Sequence, residues 1–245
     1  MEEQRKTINL IYINFNNCEE YYTYQTIVQS EIEKFIDYLG SKNIEESLDT
    51  IKIVANKEEL DTLLSQDEVN HSGDCYGTYS NDDLKNKVKN CIHCVVKVFK
   101  SNENKELEMI TIFHEIVHAS ISYLDRMDIP DNIRLFFNEY LAIYISYSYA
   151  LKKCFDKRES ALNNYLNNIR NTIGRNNSNN WEYAQATDLA LIRVLEDYNY
   201  ITKDDIAYIY ITNGLHMLCK QFNTVNYSKT DIDNFIVKYE QVMAL

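Results

Sequence analysis

Proline and glycine are scarce: one Pro and five Gly in 245 residues. So few chain breakers exclude turn-rich architectures such as sandwiches and leave long helices as the natural outcome. Gly-rich phosphate or dinucleotide turns are missing for the same reason. No run approaches the ~18 apolar residues needed to span a membrane. The opening stretch MEEQRKTINL has charges but no apolar segment behind them, so no secretory leader is expected. Positive charge is also in deficit. Against 37 Asp and Glu stand 25 Lys and Arg, a formal net charge of −12. Such a surface repels phosphate backbones and argues against broad nucleic-acid binding. Cys18, Cys75, Cys91, Cys94, Cys154 and Cys219 are scattered. Without a leader they read as reduced thiols of a cytoplasmic protein.

What is present is apolar residue enough for a real core, 45% of the chain. The β-branched run at 7–15 and the alternating segment at 49–56 predict strands. The spacing of Ile27, Ile32, Phe35, Ile36 and Leu39 predicts a helix over 26–40, stopped at Gly40. A short helix is expected at 57–65, and a turn with a short strand at 71–80. CIHCVVKVFK (91–100) predicts a strand with Ile92, Cys94, Val96 and Val98 on one side. Its other side mixes Cys91, His93, Val95, Lys97 and Phe99, which suggests partial exposure at a sheet edge. Cys91 and Cys94, three apart in a strand, face opposite sides, so CIHC is not read as a metal site. From 105 onward the pattern is helical: 105–125, 131–153, 157–172, 181–197, 203–221 and 229–243, with DIPDN (128–132) as a break and RNNSNN (175–180) as a linker. Tyr144 and Tyr147, three apart in YISYSYA, share a helix face and read as core edge. A mixed first half and a helical second half make an α+β arrangement.

One helix carries polar residues in an apolar setting. In TIFHEIVHAS (111–120), His114 and His118 lie one turn apart on one face, with Glu115 beside them. This is the HExxH pattern, in which both His bind zinc and the Glu handles a proton. The neighbours Ile110, Ile112, Phe113, Ile116, Val117, Ala119 and Ile121 cover most of the circumference. Burying two imidazoles and a carboxylate unpaired would cost several kcal/mol (~2–7 for each polar group), which a metal removes. A catalytic zinc takes three protein ligands and a water. Position 124 is Leu, which excludes the pattern with a third His six residues on. Asp128 and Glu139 remain. A hairpin turning near 126–130 puts His118 ~11 Å and Glu139 ~13 Å from the turn at ~1.5 Å per residue, so geometry favours Glu139.

HEIVHA followed by NEYLA resembles the gluzincin metallopeptidases, and the compact size and E-Y-x-A-like helix resemble the ImmA/IrrE type among them. The likeness covers about residues 91–146. It implies a zincin-like fold: a small N-terminal mixed sheet with helices, the HExxH helix, then a helical C-terminal lobe. The lobes would divide as 1–126 and 127–245. It implies Zn2+ held by His114, His118 and Glu139, Glu115 as the base, and an intracellular endopeptidase acting on an extended peptide, such as part of a regulatory protein. The strand before the motif helix would line the cleft, and an edge at 92–98 could take up substrate as an added strand. Several gluzincins carry an Asp four residues after the ligand Glu; here Ile143 stands there. His216, in TNGLHMLCK, is a candidate oxyanion donor, with several Tyr competing for the role. The alternative from another class is a non-catalytic zincin-like binding module with a structural zinc, which would have no need of Glu115.

Overall fold

A computed structural model describes residues 7–13, 15, 19–40, 42–69, 75–81, 88–96, 105–126, 128, 130–155, 159–173 and 181–201. The architecture is α+β, with a small mixed sheet and a helical remainder. The elements are β1 (Asn9–Tyr12), α1 (Glu19–Leu39), α2 (Lys42–Ser47), β2 (Thr50–Val54), α3 (Lys57–Gln66), β3 (Gly77–Ser80), β4 (Cys91–Val95), α4 (Lys105–Glu108), α5 (Ile110–Ser120), a 3-10 helix (Ser122–Arg126), α6 (Asp131–Phe155), α7 (Glu159–Thr172) and α8 (Trp181–Asp197). The expected helices at 203–221 and 229–243, and His216, lie outside the described residues. No described helix is long and apolar enough to cross a membrane. The chain divides into two compact units, one of residues 1–128 with 145–157 and one of residues 129–144 with 158–245.

In the first unit the strands run in the order β1-β2-β4-β3. β1, β2 and β4 are parallel, and β3 is antiparallel to β4. α3 covers one face, where Leu60, Leu63 and Leu64 pack with Val54, Val69 and Val95. α5 lies against β3 and β4 on the other face. The start of α3 is set by Asn56, whose side chain accepts from the Glu59 N–H (3.0 Å), while Glu59 reaches back to the Ala55 N–H (3.2 Å). The first bond satisfies a donor that a helix start leaves open, and the second ties the residue before the cap to the first turn.

β4 is not an edge. All five of its residues are buried, with β2 on one side and β3 on the other. Of the expected exposed edge over 92–98, residues 97 and 98 lie outside the described residues; the expectation is corrected for 92–96, and His93 shows why. Its side chain is fully buried and its Nε2 lies 2.7 Å from Asp67 Oδ2, in the turn after α3. Lys52, next to His93 in the β2–β4 register, bonds the same carboxylate. Burial pulls the His93 imidazole below its ordinary range against the opposing effect of Asp67. Burial alone would raise the Asp67 carboxyl, but hydrogen bonds from Lys52 and His93 outweigh it and hold it low. A polar residue on a strand face was thus a core residue held through its Nε2 by Asp67, not a sign of solvent. Among the described residues, the edge strand next to β4 is β3.

In the second unit α7 buries Leu162, Leu166 and Ile169, and Ile173 just past its end continues the stripe at helical spacing. α8 buries Leu189, Ile192 and Leu195 among others, and near its end Arg193 pairs with Asp197, which also accepts from Tyr144 Oη (2.8 Å).

Candidate metal centre

The motif helix is fixed from three directions. Phe113 of α5 packs its ring against Phe35 of α1 (centroids 4.5 Å apart) and Tyr149 of α6 (5.3 Å). At its C-terminal end the Ser47 hydroxyl donates to Ala119 O (2.7 Å), satisfying one of the carbonyls that a helix end leaves open. Tyr79 of β3 in turn donates to Ser47 O (2.7 Å). Ile112, Phe113, Ile116, Val117 and Ala119 are fully buried, as the apolar pattern requires. The helix begins at Ile110 rather than 105, since Met109 separates it from α4.

On this helix His114 and His118 meet. Their Nε2 atoms are 2.9 Å apart and the rings are nearly perpendicular. Burial pulls both imidazoles down. His118 is lowered to about 4, and His114 lies well below its ordinary value, with His118 adding to the effect. Both are therefore neutral near pH 7, which is the form that binds metal. Glu139 sits in the middle of α6, and burial pushes its carboxyl up to about 8. His114, His118 and Glu139 make the one group of three potential ligands among the described residues, each offering an atom within 4.8 Å of the others. Two imidazole nitrogens and one carboxylate are the donor set of a catalytic zinc with one position left for water. The residues fit such an ion: two nitrogens each ~2.0–2.1 Å from a tetrahedral zinc lie ~3.3 Å apart, close to the 2.9 Å found. Asp128, the rejected alternative, is exposed in the break before α6 and is not in the group.

Glu115 is buried on α5 beneath β3. A Cβ placed on Gly77 would stand 2.8 Å from Glu115 Oε1. Gly77 and Thr111, which also crowds this point, were not singled out from the sequence. The available signal was a glycine opening the β-prone run GTYS in a chain with few glycines, a mark of close backbone approach. Cys91 and Cys94 are free and buried, and neither joins a metal group.

Set against family models, characterised proteins and solved structures, the chain finds no significant match. Inferences about function therefore rest on the geometry and chemistry of these side chains.

Proposed function

We propose that this chain is a cytoplasmic zinc-dependent endopeptidase of the gluzincin type, with a zincin-like fold. The observation that carries the reading is the pairing of two half-buried, neutral imidazoles with the Glu139 carboxyl, while Glu115 projects from the same helix. A zinc ion held by His114, His118 and Glu139 would acidify a water and polarise the scissile carbonyl.

With zinc in place, Glu115 would serve as the base that holds the nucleophile's proton and returns it to the leaving amine. Its burial beneath β3 limits competing water around the carboxylate. Substrate binds as an extended segment along β3. The Val95 N–H donates to Tyr76 O (2.9 Å), so pairs in this antiparallel ladder alternate from there. Gly77 and Tyr79, opposite Cys94 and Ile92, then direct their backbone N–H and C=O groups away from β4, toward the outer side of the sheet. A peptide strand recognised there would be unfolded locally, which favours flexible segments of a protein substrate over folded surfaces. A regulatory protein supplied by another chain suits this reading, by resemblance to the ImmA/IrrE type.

The test is metal analysis and peptide cleavage for wild type and Glu115→Gln. Both are expected to hold one zinc per chain, with cleavage lowered ~10²- to 10⁴-fold in the variant alone. Equal cleavage by both would remove Glu115 from the chemistry. Wild type free of zinc would overturn the site.

A further inference from the structure

We propose that Gly77 is a positioning residue for Glu115: the side chain it lacks leaves the space that the Glu115 carboxylate occupies under β3. The proposal deepens the reading of Glu115 as base and rests on it for its catalytic meaning.

Two contacts define the space. An ideal Cβ on residue 77 would lie 2.8 Å from Glu115 Oε1, 2.9 Å from Glu115 Cγ and 2.9 Å from Thr111 Cγ2. Favourable separations between carbon atoms are ~3.5–4.0 Å, so any residue but glycine must displace something by several tenths of an ångström. Thr111 and Glu115 are four residues apart on α5 and so share the face turned to β3. Thr111 is β-branched, so it can move its methyl only by switching between the two χ1 rotamers a helix leaves it, whereas a Glu side chain bends at several bonds. β3 is tied to β4 by its register and to the end of α5 through Tyr79 and Ser47. The mobile partner is the Glu115 carboxylate.

The glycine is not there for an unusual backbone. Gly40 is the described glycine with positive φ (76°), in a turn, whereas Gly77 lies in a regular ladder. The requirement at 77 is for room alone. A carboxylate moved by even about 1 Å from its productive place can cost about 10²-fold in rate.

The experiment compares wild type, Gly77→Ala, Glu115→Ala and the double variant Gly77→Ala/Glu115→Ala. In metal-free protein, Gly77→Ala is expected to lower Tm by several degrees, and the drop should shrink by at least half when Glu115 is already Ala. In the zinc-loaded enzyme, Gly77→Ala should keep one zinc per chain and lower kcat ~10- to 100-fold, with KM on a flexible peptide changed less than twofold. A crystal structure of Gly77→Ala should show the carboxylate displaced. Adding Thr111→Ser, which removes the other crowding methyl, should restore part of kcat and serves as the folding rescue if Gly77→Ala alone is unstable. An undiminished Tm drop in the Glu115→Ala background would overturn the proposal, as would an unmoved carboxylate or an effect confined to KM. The Tm cycle needs neither zinc nor cleavage. If wild type proved inactive, the cycle would still decide whether Gly77 holds the space for Glu115.

Discussion

Zinc binding should release a proton whose source can be assigned. In the metal-free protein His114 and His118 are neutral, with His118 lowered to about 4 and His114 well below its ordinary range. At pH 7 they have essentially no protons to give up. Glu139 is the reverse case: with its carboxyl at about 8, it is ~0.9 protonated at pH 7 and ~0.1 at pH 9. A ligand carboxylate must be ionised, so binding expels that proton. Calorimetric titration of zinc in buffers of different ionisation enthalpy counts the protons released. Wild type should release ~0.9 proton more than Glu139→Gln at pH 7, and ~0.1 more at pH 9. Any proton lost from a water at the open position is shared by the two and cancels to first order. The wild-type affinity should accordingly fall by about one decade, or about 1.4 kcal/mol, from pH 7 to pH 6 beyond any fall in the variant. No difference between the two proteins at pH 7 would refute Glu139 as ligand. Release of nearly two protons with a midpoint near ~6.5, the ordinary imidazole value, would refute the neutral histidines.

The Asp67 cluster gives a stability prediction. His93 and Asp67 both have lower pKa values folded than unfolded, so each binds fewer protons in the folded state. Their contribution is complete at neutral pH and declines on acidification, from ~6.5 downward for His93 and from ~3.9 downward for Asp67. Asp67→Ala should cost ~1–3 kcal/mol in urea denaturation at pH 7 by leaving His93 without its carboxylate; an unchanged midpoint would show the cluster to be inconsequential. Phe113→Ala should cost ~3–5 kcal/mol in the same assay, because the ring packs between Phe35 and Tyr149. A loss below ~1 kcal/mol would mean that this aromatic cluster relaxes around the gap.

The helices around the motif were legible because their apolar residues recur at helical spacing and their ends carry local signals. The break at DIPDN and the span of α6, Asp131–Phe155, could be read within two residues. α1 was harder. It starts at Glu19 rather than 26, because the polar EEYYTYQ shows little apolar periodicity and its helicity comes with the packing of Tyr24, Val28 and Ile32. β4 was misplaced for a different reason. The partner that makes buried His93 tolerable is Asp67, 26 residues away, and single-strand patterning carries no trace of it. His114, Glu115 and His118 announced themselves through one helical turn. Gly77 did not, since its meaning depends on a strand resting on a helix that is distant in sequence.

β3 has a consequence for folding fidelity. It is a four-residue strand, antiparallel at the border of an otherwise parallel sheet, so few ladder positions define its register while the chain is folding. A one-residue slip turns every side chain to the opposite face. Tyr76, now 56% exposed, or Thr78 would then be driven into the place where Gly77 meets Glu115 and Thr111. Neither has room there. Misaligned chains therefore meet a steric penalty at this point, and the smallest residue in the strand doubles as its alignment mark.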